Sequence, residues 1–242
     1  MKTHFLIISF CMCFLTTSHA QHTTIFFKDH SGSISQDANE IDQEITIVKK
    51  VLLENINAPN DRVMISYLYK NSASVSNIKE FVFTLSRNSK QPETAIEKAR
   101  QQSQLMQAKF GLINRISSQL HTSKEKSSET HILEVLPRIS EALKTSEKIT
   151  VVFFSDMLES SPRRQLIRIN SKVDAETKAK QDVSQLMQDF GLSASKNPNL
   201  KIVCYLPLGE LENSTSFQFI EYYWLTVFEH LFGTNNLKFV TL

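Results

Sequence analysis

The stretch TTIFFKDHSGS, residues 23–33, joins an apolar run to a polar turn. Its first part, residues 23–28, is β-branched and aromatic and stops at a Ser/Gly turn, which is typical of a short buried strand. Asp29, Ser31 and Ser33 then follow at alternate positions. An acid and two hydroxyls at the end of a strand indicate oxygen ligands, and we interpret this stretch as half of a metal site.

The segments after this stretch alternate between helix and strand patterns. Apolar residues recur at helical spacing over residues 41–56. Segments 62–70 and 78–87 are joined by a link too short for a parallel crossover, so we expect an antiparallel hairpin. Residues 149–154, ITVVFF, are apolar on both faces, as a central parallel strand must be. The remaining predicted elements are helices at 92–121, 132–143, 174–190 and 214–232 and strands at 200–206 and 237–242.

This order of elements contains six strands separated mostly by helices. Such alternation predicts an α/β fold with a doubly wound, mostly parallel, six-stranded and Rossmann-like sheet, helices on both faces and one antiparallel strand from the hairpin. A chain of 242 residues has room for one such domain with a sizeable core. We assign residues 21–242 to this domain and interpret the long helical stretch at 92–122 as an insertion.

The first twenty residues have the pattern of a secretory signal peptide. Lys2 supplies a basic start, residues 5–15 are mostly apolar, and small residues precede a cut before Gln21. The apolar run is too short for a transmembrane helix. We therefore predict an exported protein, periplasmic or secreted. Its mature chain would have no internal disulfide, because Cys204 would be its only cysteine.

Charge and motifs argue against several classes of function. The 27 basic and 25 acidic side chains nearly cancel, and no basic stripe with interleaved aromatics occurs, so we expect no nucleic-acid partner. No later apolar run is long enough to span a bilayer, so we expect no transmembrane segment. The chain has no G-x-S-x-G, H-E-x-x-H or P-loop motif and no second acid at D-x-D spacing, so we do not expect an enzyme.

Two acids are predicted to follow strands of the sheet. Asp29 ends the first strand, and Asp156 follows the most apolar one. In doubly wound sheets ligands bind beyond the carboxyl ends of the strands, where the strand order reverses, so neighbouring strands would bring these acids together with Ser31 and Ser33. Such a set of oxygen donors suits a hard divalent cation, Mg²⁺ foremost, with Mn²⁺ or Ca²⁺ possible. The few charges would leave the ion able to attract an external anionic oxygen.

Residues 29–33, DHSGS, match the D-x-S-x-S signature of von Willebrand factor A-like (vWA) domains, and the predicted element order over residues 23–242 also resembles that fold. The resemblance implies a metal-ion-dependent adhesion site, completed by a threonine on a loop before a helix and by an aspartate after the fourth strand. Thr130 and Asp156 match these two positions. By this resemblance the serines, and in some members the threonine, bind the ion directly. The aspartates bind it mostly through water, and an Asp or Glu of a partner protein completes the shell.

Some residues of this pattern have alternative interpretations. Met157 stands where the family often has glycine, and Thr130 lacks the usual flanking glycine. Thr130 is alternatively a helix N-cap, in which case Ser128 is the substitute ligand. His30 occupies the variable position of the motif, and we expect it to be exposed rather than a ligand.

Three further features have structural as well as functional explanations. The aromatic run at 217–232 has helical spacing, which favours core packing over a sugar-binding platform. Cys204 lies in a buried strand and is expected to be inert rather than nucleophilic. Residues 160–164, SSPRR, are either a basic rim for an acidic partner or a solvated loop.

The sequence thus favours an exported binding module that docks a partner protein through a divalent metal bridged to a partner carboxylate. The first alternative is a structural subunit of a cell-envelope assembly, with metal-independent interfaces on its long helix or sheet edge. The second is a metal-assisted hydrolase, which the missing motifs disfavour. The pattern leaves the identity of the partner and the oligomeric state open.

Overall fold

The computed structural model of the protein describes residues 20–31, 38–70, 72–84, 94–122, 126–194, 196–207, 215–233 and 236–242. These residues form a six-stranded sheet and five α-helices. The strands are β1 (Ala20–Asp29), β2 (Arg62–Leu68), β3 (Ile78–Val82), β4 (Ser146–Phe154), β5 (Leu200–Leu206) and β6 (Leu237–Thr241). The helices are α1 (Ala38–Asn55), α2 (Ala95–Leu120), α3 (Leu136–Thr145), α4 (Lys172–Phe190) and α5 (Thr215–Phe232). The predicted signal peptide lies outside the described residues, apart from Ala20.

The sheet has the strand order β3-β2-β1-β4-β5-β6. Strand β3 is antiparallel to β2, and every other pair is parallel. The predicted fold class is therefore confirmed, including the single antiparallel strand from the hairpin. Strand β1 lies between β2 and β4, with Asp29 opposite Leu68 and Lys28 opposite Phe154. The strand order reverses between β1 and β4, so the crevice beyond their carboxyl ends is the expected ligand position.

The alternation of side chains along β1 divides the interior into two cores. Ile25 and Phe27 face α3, α4 and α5, whereas Phe26 faces α1 and α2. Because successive side chains of a strand point to opposite faces, Lys28 and Asp29 are also separated by the sheet.

The ends of several elements agree with their sequence signals. Thr94 caps α2 through a reciprocal capping box with Glu97, and Gly191 ends α4 in the left-handed conformation. The helix predicted at 132–143 begins as a 3₁₀ turn, Leu133–Val135, and continues as α3 with proline in its first turn. The second hairpin strand is shorter than predicted, since β3 ends at Val82.

Helix α2 has two halves with different surroundings. Its second half contributes Ile113, Ile116 and Leu120 to the core beside α1. Its first half is mostly exposed, and Ile96 is 82% exposed. The predicted insertion at 92–122 thus supplies part of the core on the α1 side of the sheet as well as a projecting segment. No helix among the described residues is long and apolar enough to cross a membrane.

Candidate metal centre

Asp29 ends β1 and is buried at the carboxyl edge of the sheet. Its Oδ1 accepts a hydrogen bond of 2.7 Å from the Ser31 amide, and its Oδ2 accepts one of 2.6 Å from the Ser155 hydroxyl. Both carboxylate oxygens therefore have donors that fix their orientation. The residues that the structure describes form no salt bridge with Asp29.

Asp156 lies two residues beyond the end of β4, which is the strand next to β1. Burial, followed by the negative charge of Asp156, raises the pKa of Asp29 to about 6, while hydrogen bonds from Ser155 and Ser31 act in the opposite direction. Two acids from distant parts of the sequence are therefore close enough to interact. Their mutual repulsion is the kind of charge arrangement that a bound cation would relieve.

The backbone turns sharply after Asp156. Met157 is buried and has a positive φ of 59°, which is unusual for a residue that is not glycine. The turn is held by three hydrogen bonds: Ser155 Oγ accepts from the Met157 amide at 3.0 Å, Asp156 Oδ1 accepts from the Leu158 amide at 2.9 Å, and Met157 O accepts from Trp224 Nε1 at 2.8 Å. The left-handed conformation explains why glycine suits this position.

The predicted serine and threonine ligands have different surroundings. Ser31 is buried, and its hydroxyl helps to lower the pKa of Asp29. Ser31 also forms an isolated parallel β-bridge with Ser127, whose amide donates to the carbonyl of His30 at 2.9 Å. Ser33 lies outside the described residues. Thr130 is buried, whereas the substitute ligand Ser128 is exposed.

The helix-capping alternative for Thr130 is wrong. The N-cap residue of the 3₁₀ turn before α3 is Ile132, whose apolar side chain makes no capping hydrogen bond. The amides of Ile132 and Leu133 are instead bound by Glu159 Oε2, at 2.5 Å and 2.9 Å. Thr130 is held by Ser160, whose hydroxyl accepts from the Thr130 amide at 2.8 Å and whose amide donates to the Thr130 carbonyl at 3.0 Å.

Sequence reasoning assigned no role to Ser155 and Glu159. Ser155 was detectable, because it directly precedes Asp156 at the end of the strand. Glu159 is buried, and burial raises its pKa to about 7, although Ser161, the two bound amides and His131 act in the opposite direction. No local sequence signal marks Glu159, because its partners lie 26 and 27 residues away.

The prediction that His30 is exposed was wrong. The His30 amide donates to the carbonyl of Leu68 at 3.1 Å, which keeps the chain alongside β2 for one further residue. The imidazole is buried and packs against the ring of Tyr67, with 4.8 Å between the ring centroids. The residue at the variable position of the motif is therefore part of the support beneath the site.

A second histidine adjoins the candidate site. His131 follows Thr130 and is buried, and its two ring nitrogens lie 2.9 Å from Glu129 Oε2 and 3.1 Å from Glu134 Oε1. A carboxylate only accepts hydrogen bonds, so the ring satisfies both contacts only when both nitrogens carry protons. A doubly protonated imidazole cannot ligate a metal through either nitrogen.

Other predictions concern residues away from the site. The aromatic run on α5 packs in the core, which includes Tyr223, Trp224, Phe228 and Phe232. Cys204 is free and buried, and burial raises the pKa of its thiol well above its ordinary value, as expected for an inert cysteine. Arg164 makes two hydrogen bonds to Asp182, and Arg163 makes one to Asp189. Both arginines therefore neutralise acids of α4.

The donors at the candidate site are all oxygen atoms. They come from Asp29, Ser31, Thr130 and Asp156, with Ser33 following in the sequence. Among the described residues no group of three or more His, Cys, Asp or Glu side chains is arranged so that it could hold a metal ion. A centre built here would therefore rely on hydroxyls in addition to two carboxylates, and oxygen-only donors suit Mg²⁺, Mn²⁺ or Ca²⁺ better than Zn²⁺ or copper.

No protein-family profile and no curated protein match the chain. Solved structures with a similar fold include the human COPII-coat protein Sec24c, at 14% identity and a TM-score of 0.40, covering 92% of this chain and 30% of that chain. The manganese-loaded TRAP protein of Plasmodium vivax is 13% identical with a TM-score of 0.39, covering 91% of this chain and 68% of that one. A von Willebrand factor type A protein from Catenulispora acidiphila is 9% identical with a TM-score of 0.33, covering 86% and 42%. These likenesses concern the fold and assign no role to any residue.

Proposed function

We propose that this protein is an exported vWA-like binding module, without enzymatic activity, that docks a partner protein through a divalent cation. Asp29, Ser31, Ser33, Thr130 and Asp156 would surround the ion, which would be Mg²⁺ or Mn²⁺. An Asp or Glu of the partner would supply the remaining ligand. The signal-like first twenty residues support export to the periplasm or the medium.

The observation that carries this proposal is the approach of two buried acids at the switch point of the sheet. Burial and the charge of Asp156 raise the pKa of Asp29, and no described residue forms a salt bridge with Asp29. A fixed carboxylate without a salt bridge, such as Asp29 among the described residues, is expensive to bury. A divalent cation would remove that cost and leave coordination positions for a partner.

The proposal is tested by the thermal stability of the protein in a titration with Mg²⁺ or Mn²⁺. A metal that binds only the folded state stabilises it and so raises the midpoint temperature of unfolding. At a free metal concentration of a hundred times the dissociation constant, the stabilisation is about 2.7 kcal/mol. We expect a saturable rise for the wild type and none for Asp29→Ala. The absence of a shift in the wild type, or an equal shift in Asp29→Ala, would refute the proposal.

Asp61 provides a matched control. It is a buried acid near the opposite edge of the sheet, and it accepts hydrogen bonds from the amides of His22, Asn57 and Ala58. Asp61→Ala removes a buried carboxylate that is equally well bonded, so it should lower the midpoint without metal. Its midpoint should still rise with the metal as far as that of the wild type does.

A structural subunit with metal-independent interfaces is the second candidate. The first half of α2 favours it, because this capped helical segment is mostly exposed and displays Ile96 to solvent. A partner complex that stays intact in excess chelator, and dissociates when Ile96 is replaced by glutamate, would favour this candidate over metal-bridged docking.

A further inference from the structure

Two loops of the candidate metal centre are joined side by side. One follows β4 and carries Asp156, and the other precedes α3 and carries Thr130. Ser160 on the first loop makes the two hydrogen bonds to the backbone of Thr130 described above. Glu159, on the same loop, binds the amides of Ile132 and Leu133 through one carboxylate oxygen. Four hydrogen bonds thus connect Glu159 and Ser160 with residues 130–133.

Glu159 is an expensive residue for this connection. Glu159 is only 1% exposed. The Ser161 side chain helps to stabilise its charged form, but the second oxygen, Oε1, has no partner that meets the hydrogen-bond geometry among the described residues. A serine, asparagine or aspartate on the helical turn itself is the usual cap for such amides. A buried carboxylate with an unsatisfied oxygen reduces the stability of the fold relative to such a cap.

The position of Glu159 separates it from an ordinary cap. An ordinary cap binds amides two or three residues further along the same chain, whereas Glu159 reaches amides 26 and 27 residues earlier in the sequence. It therefore fixes one loop relative to the other. Thr130 is two residues before the first bound amide, and Asp156 is three residues before Glu159.

We infer that Glu159 is a positioning residue of the metal centre, which holds the loop of Thr130 against the loop of Asp156 so that both reach one ion. This inference rests on the proposed function. The proposed role of Glu159 is carried by Oε2, the oxygen that binds the two amides, and not by coordination of the metal. Residues that orient metal ligands in this way typically change metal affinity by about 10- to 100-fold when they are removed.

The experiment measures the affinity for Mn²⁺ alone by isothermal titration calorimetry. We expect Glu159→Ala to weaken Mn²⁺ binding by about tenfold or more. Glu159→Gln should restore most of the affinity, because its amide oxygen can still accept both hydrogen bonds. If Glu159→Ala does not fold, Glu159→Asp replaces it, since a side chain shorter by one methylene group cannot reach the same amides.

Glu44 provides the matched control for the loss of a buried glutamate. It is buried on the opposite face of the sheet, where it pairs with Lys28 and His121. Glu44→Ala should lower the stability of the protein and leave the Mn²⁺ affinity unchanged. A loss of affinity in Glu44→Ala as large as that in Glu159→Ala would overturn the inference, because general destabilisation would then explain both.

A double variant tests whether Glu159 acts through Thr130. In a Thr130→Val background the threonine ligand is already lost, so Glu159→Ala should weaken Mn²⁺ binding further by much less than it does in the wild type. Full additivity would overturn the inference. If the wild type binds Mn²⁺ and Glu159→Ala binds it equally well, only the role of Glu159 is overturned. If the wild type does not bind Mn²⁺, the proposed function is overturned as well.

Discussion

Lys28 and Asp29 are neighbours in β1, but the sheet places them in opposite electrostatic surroundings. Lys28 points towards α1 and lies 2.5 Å from Glu44 Oε1, and His121 lies 3.0 Å from the other oxygen of Glu44. Burial alone would raise the pKa of Glu44, but His121 and Lys28 together lower it. On the other face, burial and Asp156 raise the pKa of Asp29. One buried acid is neutralised by the protein, and the other interacts with a second acid.

This difference separates a structural ion pair from a candidate binding site. Lys28 and His121 bind the two carboxylate oxygens of Glu44, so an external cation would gain little there. Asp29 has its hydrogen bonds satisfied by Ser31 and Ser155, but its charge is opposed by that of Asp156. A binding site for a cation requires both conditions, fixed oxygens and an unneutralised charge.

The largest effect on stability is expected when the buried ion pair between Lys28 and Glu44 is broken. Lys28→Met leaves Glu44 buried with His121 as its remaining partner, and removal of one partner from a buried ion pair typically costs about 3–5 kcal/mol. We expect a loss of that size in the free energy of unfolding, measured with urea and the fluorescence of Trp224. Lys178 pairs with Asp174 at 2.8 Å on the surface of α4, so Lys178→Met should cost less than about 1 kcal/mol.

The double variant Lys28→Met/Glu44→Met sharpens this result. It removes both charges of the pair, so no carboxylate remains buried without its lysine. Apolar replacement of a whole buried ion pair is often close to neutral, and we expect the double variant to be more stable than Lys28→Met alone. A double variant that is less stable than Lys28→Met would contradict the view that the unpaired carboxylate causes the loss.

Removal of the charge of Asp29 should have the opposite effect and stabilise the protein. Folded Asp29 keeps its proton up to about pH 6, whereas the unfolded chain releases it near the ordinary value of 3.8. The folded state then binds more protons than the unfolded state, so the stability due to Asp29 falls as the pH rises from about 4 to about 6. In chelator at pH 8, Asp29→Asn should therefore raise the free energy of unfolding by about 1–3 kcal/mol, and at pH 4 it should have little effect.

Glu44→Gln is the control for this pH dependence. The pKa of Glu44 is lowered in the folded protein, so its stabilising effect is present above the pKa of the unfolded chain and is lost as the pH falls. At pH 8 Glu44→Gln should therefore destabilise the protein, whereas Asp29→Asn stabilises it. Urea denaturation of both variants at pH 4 and pH 8 measures the two signs. Equal signs at pH 8 would show that the two faces do not differ as the structure indicates.

The same contrast shows which features could be predicted from the sequence. Asp29 and Asp156 were detectable because each follows a run of apolar residues that forms a buried strand. Their approach follows from the topology, since parallel neighbouring strands end at the same edge of a sheet. Ser31 and Ser33 belong to the same strand-end pattern, and the resemblance added Thr130. The order of strands and helices was likewise encoded locally, through alternation and helical spacing.

The partners of buried charges were not predictable in this way. Glu44 is 16 residues from Lys28 and 77 from His121, and within α1 it resembles any polar residue of a solvated face. Local periodicity does not record which side chains meet across a core. Burial of His30 depended on the path of the chain beside β2 after the strand had ended. Such contacts come from tertiary packing, which overrides local patterns.

The smallest effect is expected where a helix supports the turn after Asp156. Trp224→Phe keeps an aromatic ring on α5 but removes the Nε1 donor from the carbonyl of Met157, which should cost about 1 kcal/mol. Hydrogen exchange gives a local measurement, because the amide of Leu158 is bound to Asp156 Oδ1. We expect Trp224→Phe to accelerate exchange at Leu158. Phe228→Leu alters the same core without affecting that carbonyl, so it should not accelerate exchange at Leu158. Equal acceleration in both variants would mean that the core as a whole, rather than the tryptophan hydrogen bond, holds the turn after Asp156.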